Sequence, residues 1–94
     1  MALFVISCLD KEGGLPLRMA TREAHLAYIA AHREMVKLAG PFLVGDQMAG
    51  SMLVVEAETQ AEAEAFAAAD PYRLAGLFET SFVRAWKVTL GSVA

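Results

Sequence analysis

The chain has 94 residues, 56% of them hydrophobic, and a net charge of −3 at neutral pH. This length makes one domain with a modest core, and the apolar excess asks for burial beyond that core, most simply at a subunit interface. Arg18, Arg22, Arg33 and Lys37 are interrupted by Glu23 and Glu34, which argues against a nucleic-acid face, and no apolar run reaches the roughly 20 residues of a membrane span.

Ala2 to Leu9 reads as a first strand that is apolar on both alternations, with Leu3, Val5 and Leu9 on one side and Phe4, Ile6 and Cys8 on the other. Such a strand needs a layer on each face. The opening residues lack the basic region of a signal peptide, and a single Cys8 cannot form an internal disulfide. Both features predict a cytoplasmic protein with Cys8 as a small core residue. Asp10 to Pro16, with Gly13-Gly14, reads as a loop. A helix is predicted from Thr21, as N-cap, to Leu38, with His25, Tyr28, Ile29, His32, Met35 and Val36 at helical spacing and Gly40-Pro41 as the stop. Phe42 to Gly45 is a short strand, Asp46 to Ala49 a turn, and Gly50 to Ala57 a third strand. Thr59-Gln-Ala-Glu62 has the form of a capping box and opens an alanine-rich helix to Ala69. Asp70-Pro71 breaks that helix, Pro71 to Gly76 makes one short turn, and Glu79 to Leu90 reads as a last strand carrying Phe82, Arg84, Trp86 and Val88 on one face.

The order β-α-β-β-α-β predicts an α+β, ferredoxin-like fold, an antiparallel sheet with two helices on one face. The bare sheet face is expected to pack against a second copy, giving a homodimer whose clefts lie between sheet and helix ends.

His25 and Asp70 sit beside core-forming segments, where an ionisable group needs a partner. Together they would make an imidazole oriented by a carboxylate, a unit that moves protons. Apart, His25 is a core-edge histidine and Asp70 an N-cap for a helix that begins at Pro71. Tyr72, Ser51, Arg18 and Arg84 are candidate substrate contacts, each with a plain structural alternative in a packed aromatic, a sheet-edge hydroxyl or a solvated charge. His32 lies seven residues after His25, about 10 Å along a helix, so the two cannot share a metal ion, and no metal site is expected. Neither a phosphate-binding glycine loop nor a Gly-x-Ser-x-Gly elbow occurs, so no cofactor is expected and proton transfer is the chemistry that remains.

Several of these residues also carry a resemblance: the short opening strand, Arg22-Glu-Ala-His25-Leu26, Gly40-Pro41, Gly50-Ser51 and Ala68-Ala-Asp70-Pro71-Tyr72. In combination, over nearly the whole chain, the sequence resembles the YCII-related (YciI-like) family of small dimeric α+β proteins, similar in architecture to muconolactone isomerase. The resemblance implies a dimeric α+β barrel with a site around His25 and Asp70. It also implies chemistry of the lyase or isomerase kind on a small, often cyclic, polar substrate. The loop from Asp46 to Ala49 is very short, which leaves no room for substrate contacts made from a longer loop there. Two other readings stand beside this one: a non-catalytic ligand-binding or regulatory dimer using the same cleft, and a small interaction unit with no pocket.

Overall fold

The computed structural model describes residues 1–92. Its elements are β1 (Ala2–Asp10), α1 (Leu15–Ala31), β2 (Val36–Val44), β3 (Gln47–Ala57), α2 (Gln60–Ala68), α3 (Pro71–Leu74) and β4 (Phe78–Trp86). The four strands form one antiparallel sheet in the order β2-β3-β1-β4, with the helices on one face, as the ferredoxin-like reading expects.

Strand alternation divides the sheet residues between its two faces. Phe4, Ile6 and Cys8 of β1 face the helices with Leu53, Val55 and Ala57 of β3, and meet Ala63, Phe66 and Ala67 of α2 in the main apolar cluster. Leu3, Val5 and Ser7 point the other way, opposite Trp86, Arg84 and Phe82 on β4. On that outer face Met52, Phe82 and Trp86 are exposed.

Several boundaries differ from the sequence expectations, among them the start of β3, which lies at Gln47 rather than Gly50. Helix α1 begins six residues earlier than Thr21, at Leu15, with Gly14 as N-cap and Pro16 in its first turn. Proline is suited to that position, because its missing N–H has no partner there in any helix. The same helix ends at Ala31 rather than Leu38. His32 is its C-cap, and the His32 ring bonds the Tyr28 carbonyl at 2.8 Å. The apolar residues beyond it instead build β2, which pairs with β3 from Val36↔Val55 to Val44↔Gln47. Gly40-Pro41 is therefore no helix stop but the middle of a strand, and Pro41 is tolerated because β2 lies at the edge of the sheet. Strand β4 ends at Trp86, four residues before Leu90.

The β2–β3 turn narrows to Gly45-Asp46, with Gly45 at φ +61° in the first loop position, the glycine requirement of a II′ hairpin. Gly50 permits a different close approach. A Cβ there would lie 2.4 Å from the Cys8 carbonyl oxygen and 3.0 Å from Phe42. The capping box at α2 is realised with a shift. Thr59 Oγ1 accepts from the Glu62 amide at 3.2 Å, but Glu62 reaches back to the Glu58 amide, 3.5 Å away. No helix among the described residues is long and apolar enough to cross a membrane.

Candidate functional site

The polar site is an extension of the apolar rows. Asp10 follows Phe4, Ile6 and Cys8 on the helix-facing side of β1, and Ser51 precedes Leu53 and Val55 on the same side of β3. Above them, α1 carries Arg18 and His25, seven residues and two turns apart on one helical face, and both are buried. Asp70 ends the α2 segment in an extended conformation and caps α3, which starts with Pro71 and presents Tyr72 to the same space.

His25 Nδ1 lies 2.9 Å from Asp70 Oδ1. The same oxygen accepts the Tyr72 backbone N–H at 2.9 Å. One carboxylate oxygen thus serves as both helix cap and histidine partner, so capping α3 does not keep Asp70 from pairing with His25. With Oδ1 acting as acceptor, the ring proton belongs on Nδ1 and Nε2 is left free for a ligand. The imidazole also stacks on Tyr72, with ring centroids 4.0 Å apart and planes 16° from parallel.

On the far side of Tyr72, the Arg18 guanidinium carbon lies 4.4 Å from the ring centroid. Arg18, only 2% exposed, gives Nε to Asp10 Oδ2 at 2.7 Å and Nη2 to Asp10 Oδ1 at 2.8 Å. Nη2 also donates to Ser51 Oγ at 2.9 Å. Burial works against the Arg18 charge, but the hydrogen bonds and charge of Asp10 outweigh it and hold the guanidinium protonated more firmly than usual. Burial likewise pushes the Tyr72 phenol up, with the Arg18 and Arg22 charges pulling back. The result is a continuous column, Asp10–Arg18–Tyr72–His25–Asp70, in which each charged or titratable side chain has a partner. No buried side-chain nitrogen or oxygen among the described residues lacks one.

Beside this column is a cavity of about 240 Å³ between α1, α3 and the β2–β3 half of the sheet. Arg18, Arg22, His25, Ser51 and Tyr72 supply its polar wall, and Leu26, Ile29, Pro41, Met48 and Leu53 are among its apolar residues. Such a mostly apolar concavity with a few convergent polar groups is the usual form of a small-molecule site.

Five of the six sequence-stated site residues therefore converge: His25, Asp70, Tyr72, Ser51 and Arg18. The sixth, Arg84, is placed elsewhere. It pairs with Val5 on the outer sheet face, and its guanidinium carbon sits 4.4 Å over the Phe82 ring. Asp10 and Arg22 escaped the sequence reading as site residues. Asp10 was detectable in principle, because it falls two residues beyond Cys8 on the inward alternation. Arg22 had a weaker signal, a position one helical turn from both Arg18 and His25. Among the described residues, no group of three or more His, Cys, Asp or Glu side chains could hold a metal ion. Cys8 is buried under this site, and burial, with a lesser push from Asp70, raises its thiol pKa to about 12.

Residues 2–87 match the YCII-related domain. The protein YciI of Escherichia coli O6:H1 is 35% identical over 94 aligned residues, covering 90% of this chain and 96% of its own. Among solved structures, 5-chloro-2-hydroxyhydroquinone dehydrochlorinase (TftG) from Burkholderia phenoliruptrix AC1100, in complex with 2,5-dihydroxybenzoquinone, superposes with a TM-score of 0.86. It is 36% identical, over 90% of this chain and 93% of that one. Protein Atu4242 from Agrobacterium tumefaciens shares the fold alone, with a TM-score of 0.58 at 18% identity over 93% of this chain and 92% of that one.

Proposed function

Because the chain belongs to the YCII-related family, we propose that it is a cofactor-independent acid–base enzyme of the lyase or isomerase kind, acting on a small polar ring compound. The observation that carries this reading is the 2.9 Å contact of His25 Nδ1 with Asp70 Oδ1 at the wall of the cavity. The dehydrochlorinase activity in the name of the similar TftG supports chemistry of this class.

In this mechanism His25 Nε2 removes a proton from the substrate. The electrons of the broken bond form a new double bond, and a leaving group departs with its own bonding pair. In the isomerase variant, the same imidazolium returns the proton to another ring atom. Asp70 holds the ring in the Nδ1–H tautomer and stabilises the imidazolium once it forms, while stacking on Tyr72 fixes the ring plane. Ser51 and Arg18 shape the floor of the cavity. The reading includes a homodimer in a reducing, cytoplasmic setting. The exposed Met52, Phe82 and Trp86 of the outer face are covered by a second copy, and Arg84 serves that interface. A dimer mass in sedimentation equilibrium is the expected result.

The catalytic test is turnover of a panel of chlorinated and hydroxylated hydroquinones and quinones, followed by halide release and by solvent deuterium incorporation. Wild type should process at least one. His25→Ala should lose about 10²–10⁴-fold in kcat, with its circular dichroism unchanged. Full activity in that variant would refute the dyad. Saturable binding of the panel with no turnover by wild type would instead favour a ligand-binding module in the same cleft.

A further inference from the structure

We infer that the cavity selects a single-ring oxyanion, a phenolate or a carboxylate, and that Arg22 rather than the buried Arg18 receives its negative charge. The inference rests on the reading of the cavity as a small-molecule site and adds the charge and size class of the ligand.

Arg18 is one of the candidate substrate contacts, but its charge is already matched. Asp10 takes two of its hydrogen bonds and Ser51 a third. An incoming carboxylate would have to compete with a buried bidentate ion pair of 2.7 and 2.8 Å, the geometry in which an arginine–carboxylate contact is strongest. His25 is already hydrogen-bonded to Asp70 through Nδ1. That leaves Arg22. It lines the cavity, is exposed, and makes no hydrogen bond or ion pair among the described residues. Its place in α1 is four residues after Arg18 and three before His25, the spacings that bring side chains to one helix face. No Asp or Glu lines the cavity, so nothing in its wall offsets the Arg22 charge or repels an anion. The guanidinium fork is shaped to grip an oxyanion through two donors.

Size and lining complete the class. A cavity of about 150 Å³ holds benzene, so about 240 Å³ is ample for one six-membered ring with polar substituents. Leu26, Ile29, Pro41, Met48 and Leu53 meet the ring faces, while Arg22 on α1 and Nε2 of His25 meet its polar edge. The Arg22 contact orients the ring and leaves the proton transfer to His25.

The test is calorimetric titration of the full chain with benzoate, 4-nitrophenolate and neutral benzamide. The variants are Arg22→Gln, Arg22→Lys and, as a charge control away from the cavity, Arg33→Gln. Wild type should bind at least one of the two anions more tightly than benzamide, and the stronger of them tells carboxylate from phenolate preference. Arg22→Gln should weaken anion binding about tenfold, as loss of one charged hydrogen-bonding group does, and leave benzamide unchanged. Arg22→Lys should keep part of the anion preference, Arg33→Gln all of it, and added salt should shrink it in wild type because Arg22 is exposed. Unchanged anion affinity in Arg22→Gln, equal losses for anion and amide, or no anion preference in wild type would overturn the inference. These outcomes are read without turnover, so they are independent of the acid–base proposal. Failure of every probe to bind would overturn the cavity reading and this inference together.

Discussion

Under α2 the sheet is dry: Phe4, Ile6, Leu53, Val55 and Ala57 pack against Ala63, Phe66 and Ala67. Under α1 and α3, on the same face of the same sheet, Arg18, His25, Ser51 and Asp70 are buried, and each is hydrogen-bonded to another member of the site or to its partner Asp10. The dry half is held by contact area and tolerates gradual change in volume. The polar half is held by pairing, so removing one member leaves its partner buried and unsatisfied. That contrast separates the part of the fold that supplies stability from the part that supplies geometry to a site.

The strongest way to break the contrast is at the Asp10–Arg18 pair. Asp10→Ala leaves a buried guanidinium without its carboxylate and should cost about 3–5 kcal/mol in urea unfolding. Asp10→Val combined with Arg18→Met should recover at least half of that loss, because a buried ion pair contributes little net stability over an apolar pair of similar volume. A double variant no more stable than Asp10→Ala would mean that the polar half is itself a source of stability. In the dry half, Phe66→Ala should cost about 3–5 kcal/mol through lost burial and a residual cavity. It should also disturb Tyr28, which stacks on Phe66 at 5.0 Å and donates its hydroxyl proton to the Phe66 carbonyl at 2.8 Å. Ligand affinity should change less than stability, since Phe66 does not line the cavity; an equal loss of both would erase the distinction between the halves.

The smallest effect is expected at the boundary, where Cys8 of the dry row lies near the charges of Asp70 and Arg73. Its thiol pKa rises from 9.0 to about 12 in the folded chain. The unfolded chain releases the Cys8 proton first, so this contribution to stability is complete below pH 9 and is lost as pH climbs toward 12. Burial raises the Tyr28 and Tyr72 phenols too, so their contributions fall in the same direction on the alkaline side. Cys8→Ala should flatten the loss of stability above pH 9. At pH 8 the wild-type thiol should react with iodoacetamide only as fast as the chain opens. Rapid labelling of the folded protein would show that the boundary is not closed.

The strand periods were legible because alternation is a local property. Phe4, Ile6 and Cys8 predicted a buried row before any partner was known, and Ala68-Ala-Asp70-Pro71 announced both a helix end and a cap. The junction between α1 and β2 was not legible. Met35, Val36 and Leu38 continue the helical apolar spacing, and only the chance to pair with β3 tells them to extend. A helix and an edge strand compete there on equal local terms, and long-range hydrogen bonds decide. Arg84 was misplaced for a related reason. Its alternation was readable, but which face of β4 meets the helices depends on pairing with β1.

By itself, the sequence determined the α+β class, the order of its strands and helices, and two titratable residues, His25 and Asp70, set where the chain must bury them. Only the tertiary structure decided that a single Asp70 oxygen serves both the helix cap and the imidazole, that Asp10 neutralises Arg18, and that Arg22 faces the cavity with its charge unmatched. Those relations link residues from β1, α1, β3 and α3. Periodicity along one element cannot encode them, because they come into being only when the elements pack and each buried charge must find its partner.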